Sequence, residues 1–226
     1  MQTLLAAKSA YIFDWDGTII NTLPQKAKHF SRVMQGWLAQ QGIACSIDEV
    51  EQEFYRLSGR PRPLLLSAMA QRWGVVLQSH EYERLSAEIT RLNTQNLSQS
   101  LVYDDAMRLL RALCARRVKI FISSSVPQDE LQALVSRAMP VEISDAFSAI
   151  LGTTASIGKG AGHIQWLATT HGISLNAMLV LGDDEADVVL AREAGVDVVF
   201  VHRRGPIPKQ AVWCVKSLDE VSKWIL

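Results

Sequence analysis

The sequence predicts an α/β fold in which a doubly wound parallel sheet carries an inserted helical domain. Two observations indicate it: short apolar runs recur with helical segments between them, and one long stretch after the first run shows helical patterns alone. Continuous rather than alternating apolar residues are typical of strands buried on both faces. Such strands belong to parallel sheets that have helices on both sides.

Five apolar runs are the predicted strands, and most of them are followed by Gly, Asp or Ser, which favour turns. They are residues 11–13, 118–122, 147–151, 177–181 and 198–201. From the second run onward, strands and helices alternate to the end of the chain. This alternation favours a parallel sheet whose strands are joined by crossover helices.

The stretch between residues 21 and 102 contains no convincing strand run. Its amphipathic patterns predict helices at 26–40, 47–57, 64–73 and 82–97. We therefore predict an α/β core of residues 1–20 and 103–226 and a helical cap domain of residues 21–102, with hinges at Thr22–Pro24 and Ser98–Tyr103. Because the insertion follows the first strand, we expect a lid above that strand's carboxyl end, where open α/β sheets bind ligands.

The composition argues against several classes of protein. Lys plus Arg and Asp plus Glu each number 23, so the formal net charge is zero and no nucleic-acid partner is indicated. No stretch approaches the ~20 apolar residues of a membrane span, and no signal-peptide pattern precedes the first strand. The three cysteines form no CxxC pair, which favours a reducing compartment. We expect a cytoplasmic protein without a membrane partner. The sequence does not determine its oligomeric state.

The first candidate functional segment is Asp14-Trp15-Asp16-Gly17-Thr18, directly after the first predicted strand. Two carboxylates two positions apart can face one site if the chain bends there, and Gly17 permits that bend. One aspartate can attack a phosphoryl group while a second carboxyl group donates and accepts protons. The alternative is an ordinary turn, since Asp and Gly are common after strands.

Residues 182–187 form an acidic cluster after the fourth predicted strand and include Asp183, Asp184, Glu185 and Asp187. Four acidic side chains in five positions repel one another unless a cation binds there, and hard oxygen ligands suit Mg2+. The alternative is a solvated acidic first turn of the following helix, which the helix dipole favours.

Two further elements complete the pattern. The segment Ser123-Ser124-Ser125 closes the second predicted strand, where hydroxyl groups can bind phosphate oxygens or a serine can cap the next helix. Lys159 lies in a glycine-rich stretch at the start of a helix and can neutralise both a nucleophile and a phosphate. Without the other elements, an exposed lysine would be the simpler interpretation.

With these four elements in this order, the sequence strongly resembles the haloacid dehalogenase superfamily. The motifs of that superfamily match residues 14–18, Ser123, Lys159 and Gly182-Asp183 with Asp187. The resemblance implies a Rossmann-like core with a helical cap of the C1 type between the first and second motifs. Asp16 argues against the dehalogenase branch, which lacks this second aspartate, and the resemblance is to phosphoglycolate phosphatases and β-phosphoglucomutases.

The resemblance implies a role for each matched residue. Asp14 is the expected nucleophile and Asp16 the general acid and base. Ser123 is the expected phosphate ligand, and Lys159 neutralises charge. One of the two arginines of a glycine-containing loop in the cap, Arg60 or Arg62, would bind a second anionic group, with two solvated arginines as the alternative. The expected substrate-binding residues are Thr18, Ser124, Arg60 and Arg62.

By the same resemblance, Mg2+ is the expected cofactor. Its expected ligands are the carboxylates of Asp14 and Asp183 and the backbone carbonyl of Asp16. Asp187 or Asp184 would contribute as a further ligand or through water.

These expectations describe a hydrolase that cleaves a small soluble phosphomonoester through an aspartyl-phosphate intermediate. A phosphomutase with the same core is the first alternative, although Asn21 and Lys26 stand where such mutases commonly have an acidic residue and a histidine. A catalytically silent domain that binds a phosphorylated metabolite and a receiver-like phosphoacceptor are the others. Phosphoglycolate, sugar phosphates and nucleoside monophosphates all remain candidate substrates.

Overall fold

A computed structural model of the chain describes residues 7–95, 97 and 101–225. Its strands in this part of the chain are β1 (Ala10–Phe13), β2 (Lys119–Pro127), β3 (Phe147–Thr153), β4 (Met178–Gly182), β5 (Asp197–Val201) and β6 (Trp213–Val215). They form one parallel sheet in the order β3-β2-β1-β4-β5-β6. The predicted doubly wound α/β fold is confirmed.

Ten helices are present in the described residues. They are α1 (Leu23–Gln40), α2 (Ile47–Leu57), α3 (Arg62–Arg72), α4 (Ser79–Gln95), α5 (Asp104–Ala115), α6 (Gln128–Ala138), α7 (Val141–Ser144), α8 (Ala161–His171), α9 (Glu185–Ala194) and α10 (Leu218–Ile225). A short 3-10 turn, Leu175–Ala177, precedes β4. Among these same residues, no helix combines the length and the apolar character needed to cross a bilayer.

The chain divides into two compact units. One comprises Met1–Asn21 and Ser98–Leu226, and the other comprises Thr22–Leu97. The second unit contains α1 to α4, and each helix contributes to its buried core, as Met34, Phe54, Leu66 and Ile89 illustrate. The lid role of the helices stays a prediction. Residues 98–100 of the second predicted hinge lie outside the described residues.

Strand β2 extends well beyond the predicted run of 118–122. It continues through three serines to Pro127, because β3 pairs with it as far as Thr153. Ser123 and Ser124 are therefore buried strand residues. The alternative in which a serine caps the next helix is wrong, since Pro127 is the N-cap residue of α6 and no side chain caps that helix.

Strand β6 is the one strand of the sheet that the sequence pattern does not predict. It is three residues long, and its side chains are half-buried, exposed and buried in turn. It joins the sheet because β5 offers it a free edge, where Val199 pairs with Trp213 and Val201 with Val215. So short a segment is held by backbone pairing, and it carries too little hydrophobic periodicity to be recognised.

Asp105, at the start of α5, connects distant parts of the α/β unit. Its carboxylate accepts two hydrogen bonds of 2.8 Å from Arg203, one of 2.8 Å from Ser217 Oγ and one of 2.9 Å from the backbone N–H of Leu218. The guanidinium of Arg203 also lies 4.1 Å from the centroid of the Tyr103 ring. Burial raises the pKa of Asp105, but these donors outweigh burial and hold the pKa below its ordinary value.

Replacing Asp105 with Ala should destabilise the fold by about 3–5 kcal/mol, because a largely buried guanidinium loses its counter-charge. The matched control is Asp104→Ala at the exposed preceding position, where a charge in the first helical turn contributes about 0.3–1 kcal/mol. Urea unfolding measures both free energies. The contribution of the ionised Asp105 should be full above the unfolded pKa of about 4 and disappear as the pH falls through the lower folded pKa. Equal losses in the two variants would contradict this role.

Candidate active site

The carboxyl ends of three neighbouring strands bring the predicted site residues together. Phe13 of β1 pairs with Ile122 of β2 and with Leu181 of β4, so the residues that follow these three lie side by side at one edge. The backbone N–H of Asp14 donates to the carbonyl of Leu181 at 2.9 Å and fixes the start of this segment. The strand order reverses between β1 and β4, and open α/β sheets bind ligands at such a point.

A tight turn after β1 brings Thr18 to the acidic segment. The N–H groups of Ile19 and Ile20 both donate to the carbonyl of Trp15, at 3.1 Å each. Gly17 has a φ of +85°, and a Cβ at this position would overlap the carboxylate of Asp183, so glycine satisfies both constraints. The buried hydroxyl of Thr18 donates to Asp183 Oδ1 at 3.1 Å. Thr18, a predicted substrate contact, thus orients an acidic side chain in this structure.

Lys159 lies between two carboxylates. Its ammonium group contacts Asp14 Oδ1 at 2.7 Å and Asp187 Oδ1 at 2.8 Å, and all three side chains are buried. The lysine precedes α8, whose N-cap residue is Gly160. Burial lowers the pKa of Lys159, but the two adjacent carboxylates outweigh burial and raise the pKa above its ordinary value. The lysine therefore stays charged and neutralises part of the site.

Asp14, Asp183 and Asp187 form a group that could hold a metal ion. A carboxylate oxygen from each lies within 4.8 Å of those of the other two, and all three residues are buried. Three ionised carboxylates exceed the single charge of Lys159, and the guanidinium of the exposed Arg204 lies 3.5 Å from Asp183 Oδ2. Oxygen donors with excess negative charge are the ligand set that hard divalent cations prefer.

The carboxyl groups of this cluster have raised pKa values. Burial raises the pKa of Asp14 to about 7, although Lys159 opposes the shift. Burial and then the charge of Asp14 raise the pKa of Asp183 to about 7. Burial also raises the pKa of Asp187 to about 6, again against the effect of Lys159. Without a further positive charge, the cluster holds protons close to neutral pH.

Asp16 and Asp184 lie outside this group of three. Asp16 is half-buried in the turn, and its charge adds to the rise that burial causes in the pKa of Asp14. Asp184 is the N-cap residue of α9, and its Oδ1 accepts a hydrogen bond from the N–H of Ala186 at 2.9 Å. Asp187 completes this capping box by accepting from the N–H of Asp184 at 3.2 Å. The helix start thus directs Asp184 to its own backbone.

Ser123 has a partner that sequence reasoning did not assign to the site. Its hydroxyl lies 2.9 Å from Nδ1 of His163, a fully buried residue of α8. The available signal was spacing, because His163 stands four residues after Lys159 and so one helical turn beyond it. Burial, and then the charge of Lys159, lower the pKa of His163 to about 4. Ser124 is also buried, and its Oγ accepts from the N–H of Val126 at 3.3 Å.

The two predicted cap arginines differ in their surroundings. Arg62 is buried within the helical unit, where it donates to Thr90 Oγ1 at 2.7 Å and lies 5.5 Å from the centroid of the Phe30 ring. Arg60 is exposed just before α3. The partners in these two contacts belong to the same unit as Arg62. A role for either arginine in substrate binding stays a prediction.

The family of the chain follows from comparison with known proteins. Residues 11–201 match the family described as haloacid dehalogenase-like hydrolase. The chain belongs to this family. The predicted superfamily is confirmed, and this haloacid dehalogenase-like hydrolase is an enzyme of the phosphatase class.

Curated relatives and solved structures of similar proteins align with most of this chain. A phosphoglycolate phosphatase from Rhodospirillum rubrum is 26% identical over 199 residues, which are 85% of this chain and 78% of the relative. One from Aliivibrio fischeri is 23% identical over 81% of this chain and 79% of its own length. The crystal structure of a predicted phosphoglycolate phosphatase from Haemophilus somnus 129PT has a TM-score of 0.74 at 20% identity and covers 96% of this chain and 97% of that one. A provisionally named β-phosphoglucomutase from Thermotoga maritima has a TM-score of 0.68 at 19% identity, covers 96% of this chain and 100% of its own, and shares the fold.

In the metal-free hydrolase, the cluster should make stability fall as pH rises. A carboxyl group whose pKa is higher in the folded state stabilises the fold fully below its unfolded pKa of about 4, and this contribution is lost as pH rises through the folded pKa. For Asp183 the folded pKa is about 7. The loss should therefore extend from about pH 4 to pH 7.

Urea unfolding in EDTA across this range measures the loss, and Asp183→Asn should reduce it because one of the three acids is removed. Asp184→Asn is the matched control, since asparagine is an equally good N-cap residue and the charge removed lies outside the group of three. The role of the cluster is contradicted if the wild type and both variants share one pH dependence.

Proposed function

We propose that this hydrolase cleaves a small soluble phosphomonoester in a Mg2+-dependent reaction that passes the phosphoryl group through Asp14. One observation carries the proposal. A buried carboxylate at the carboxyl end of β1 contacts the ammonium of Lys159 at 2.7 Å, beside the carboxylates of Asp183 and Asp187. This arrangement combines a nucleophile, a fixed positive charge and a set of oxygen ligands for a cation.

The donor set fits Mg2+. Asp14 and Asp183 would hold the ion, with Asp187 in the same group, and the backbone carbonyl of Asp16 is a further ligand by resemblance to the family. Asp184 is assigned to helix capping instead, because its carboxylate accepts from the N–H of Ala186. When bound, Mg2+ supplies positive charge that stabilises the phosphoryl oxygens during transfer.

In the first step, a carboxylate oxygen of Asp14 forms a bond to phosphorus while the bond from phosphorus to the ester oxygen breaks. The carboxyl group of Asp16 gives its proton to that leaving oxygen, so the product leaves as a neutral alcohol. Lys159 offsets the negative charge that spreads over the phosphoryl group, and the hydroxyl of Ser123 binds one of its oxygens. The step leaves a phosphoryl group on Asp14.

In the second step, the carboxylate of Asp16 removes a proton from water while the water oxygen forms a bond to phosphorus. The bond between Asp14 and phosphorus breaks, inorganic phosphate is released, and the carboxylate of Asp14 is regenerated. Asp16 then carries the proton that the next cycle requires. The half-buried position of Asp16 suits both tasks, because the leaving alcohol and the water must reach it.

Phosphoglycolate is the substrate that we propose to test first. The two curated relatives, from Rhodospirillum rubrum and Aliivibrio fischeri, are both phosphoglycolate phosphatases and each match more than four fifths of this chain. The fold shared with a provisionally named β-phosphoglucomutase does not favour a mutase specifically, since the structure of a predicted phosphoglycolate phosphatase shares it as well. We propose a cytoplasmic enzyme whose partner is the small phosphorylated metabolite.

Phosphate release from p-nitrophenyl phosphate and from a metabolite panel that includes phosphoglycolate tests the reaction. Asp14→Asn should abolish turnover because an amide oxygen does not form the acyl phosphate. Asp16→Asn should lower kcat by about 10²–10⁴-fold, the usual contribution of general acid and base catalysis. The control for intact folding is Asp104→Asn, which changes an exposed acid at the start of α5.

Two results would contradict the proposal in different ways. Exchange of a phosphoryl group between two positions of a sugar, without release of inorganic phosphate, would identify a mutase. Binding of phosphorylated metabolites by a folded protein, with no turnover of any of them, would identify a silent binding domain. Product analysis by phosphorus NMR separates these two results.

Mg2+ should stabilise the wild type against thermal unfolding, because the ion offsets repulsion among buried carboxylates. At 100 times the dissociation constant, the gain in free energy is about 2.7 kcal/mol. Asp183→Asn should lose most of this gain, while Asp184→Asn should retain it. Differential scanning fluorimetry with Mg2+ or EDTA measures the shift, and an equal response of the two variants would disprove the ligand assignment.

A further inference from the structure

Ser123 and His163 form a buried pair next to the proposed nucleophile. Ile122 of β2 pairs with Phe13 of β1. Ser123 follows the first of these residues and Asp14 follows the second, so the two lie on neighbouring strands at the same level. The exposed fractions of Ser123 and His163 are 2% and 0%, and Ser123 Oγ lies 2.9 Å from His163 Nδ1. A hydrogen bond at this distance, in the absence of competing water, fixes the orientation of the hydroxyl group.

The same short segment of chain carries the side chains that contact Asp14 and Ser123. Lys159, just before α8, contacts Asp14, and His163 lies four residues later, where the N–H of His163 donates to the carbonyl of Gly160 at 3.0 Å. One helical turn therefore separates a contact to the nucleophile from a contact to the phosphate-binding hydroxyl. Both contacts therefore depend on the position of the start of α8.

The second ring nitrogen indicates the direction of the hydrogen bond. Nε2 of His163 is buried and makes no hydrogen bond of ordinary geometry among the described residues, although a backbone contact with Gly152 opposes the fall in the pKa of the ring. A neutral imidazole carries one hydrogen, and burial with the nearby charge of Lys159 keeps the ring neutral by lowering its pKa to about 4. A buried N–H without an acceptor is rarer in proteins than an acceptor without a donor. The hydrogen is therefore best placed on Nδ1.

We propose that His163 is a positioning residue, whose Nδ1–H donates to Ser123 Oγ and thereby directs the serine hydroxyl hydrogen to a phosphate oxygen. This inference rests on the proposed function, because it requires a phosphate group beside Asp14. An oxygen that accepts from Nδ1 keeps its own hydrogen for an anionic ligand. The competing tautomer carries the hydrogen on Nε2, where the backbone of Gly152 would have to accept it, and the serine would then donate to Nδ1.

A double-mutant cycle separates positioning from a structural role. His163→Leu should lower kcat/KM for p-nitrophenyl phosphate by about 10- to 100-fold, as expected for one lost buried hydrogen bond. In the background of Ser123→Ala, the same change should lower it by less than about twofold, because the group that His163 orients is already absent. Equal losses in both backgrounds would overturn the proposal. His163→Asn should recover much of the activity, since its side-chain amide can place an N–H near the position of Nδ1.

Two measurements test the proposal even if no ester is hydrolysed. In the wild type at neutral pH, a two-bond ¹H–¹⁵N spectrum should show the hydrogen of His163 on Nδ1, and a hydrogen on Nε2 would overturn the proposal. Calorimetric titration with inorganic phosphate and Mg2+ should show weaker binding for His163→Leu, and no further weakening when Ser123→Ala is added. A wild type that binds phosphate in this way but hydrolyses no ester would disprove the proposed reaction and leave the positioning role supported.

Discussion

Three carboxylates buried at one edge of the sheet repel one another, and the organisation of the site follows from the way in which this repulsion is offset. Lys159 lies between Asp14 and Asp187, while Thr18 and Arg204 face Asp183. These partners come from different segments of the chain, so the cluster forms only when the α/β core is complete. Burying ionised groups is costly unless they are paired, and we propose a divalent cation as the remaining counter-charge.

The close approach of the acidic segments explains two glycines. A Cβ at Gly17 would overlap the carboxylate of Asp183, and a Cβ at Gly182 would overlap the side chain of Asp187. The positive φ of Gly17 adds a backbone reason at the first position. Glycine at each point therefore serves the packing of carboxylates as well as the local turn, and larger side chains would separate the groups that have to meet.

The start of α8 positions the side chains that contact Asp14 and Ser123. Lys159 and His163 reach Asp14 and Ser123, which follow neighbouring strands β1 and β2. One local structure thus sets both the charge beside the proposed nucleophile and the orientation of the proposed phosphate ligand. Two contacts from one helix start hold these groups in place, and fixed placement is what a preorganised electrostatic site requires.

The sequence by itself determined the α/β class, five of the six strands and the helical character of the stretch after the first strand, because periodicity is a local property. Tertiary structure alone decided which acids meet. Asp183 and Asp187 join Asp14, whereas Asp184 caps α9, since neighbouring residues at a helix start point in different directions. It also decided the edge strand β6 and the contact between Ser123 and His163, which are 40 positions apart. Pairing over such a distance depends on how strands and helices pack, and no local pattern encodes it.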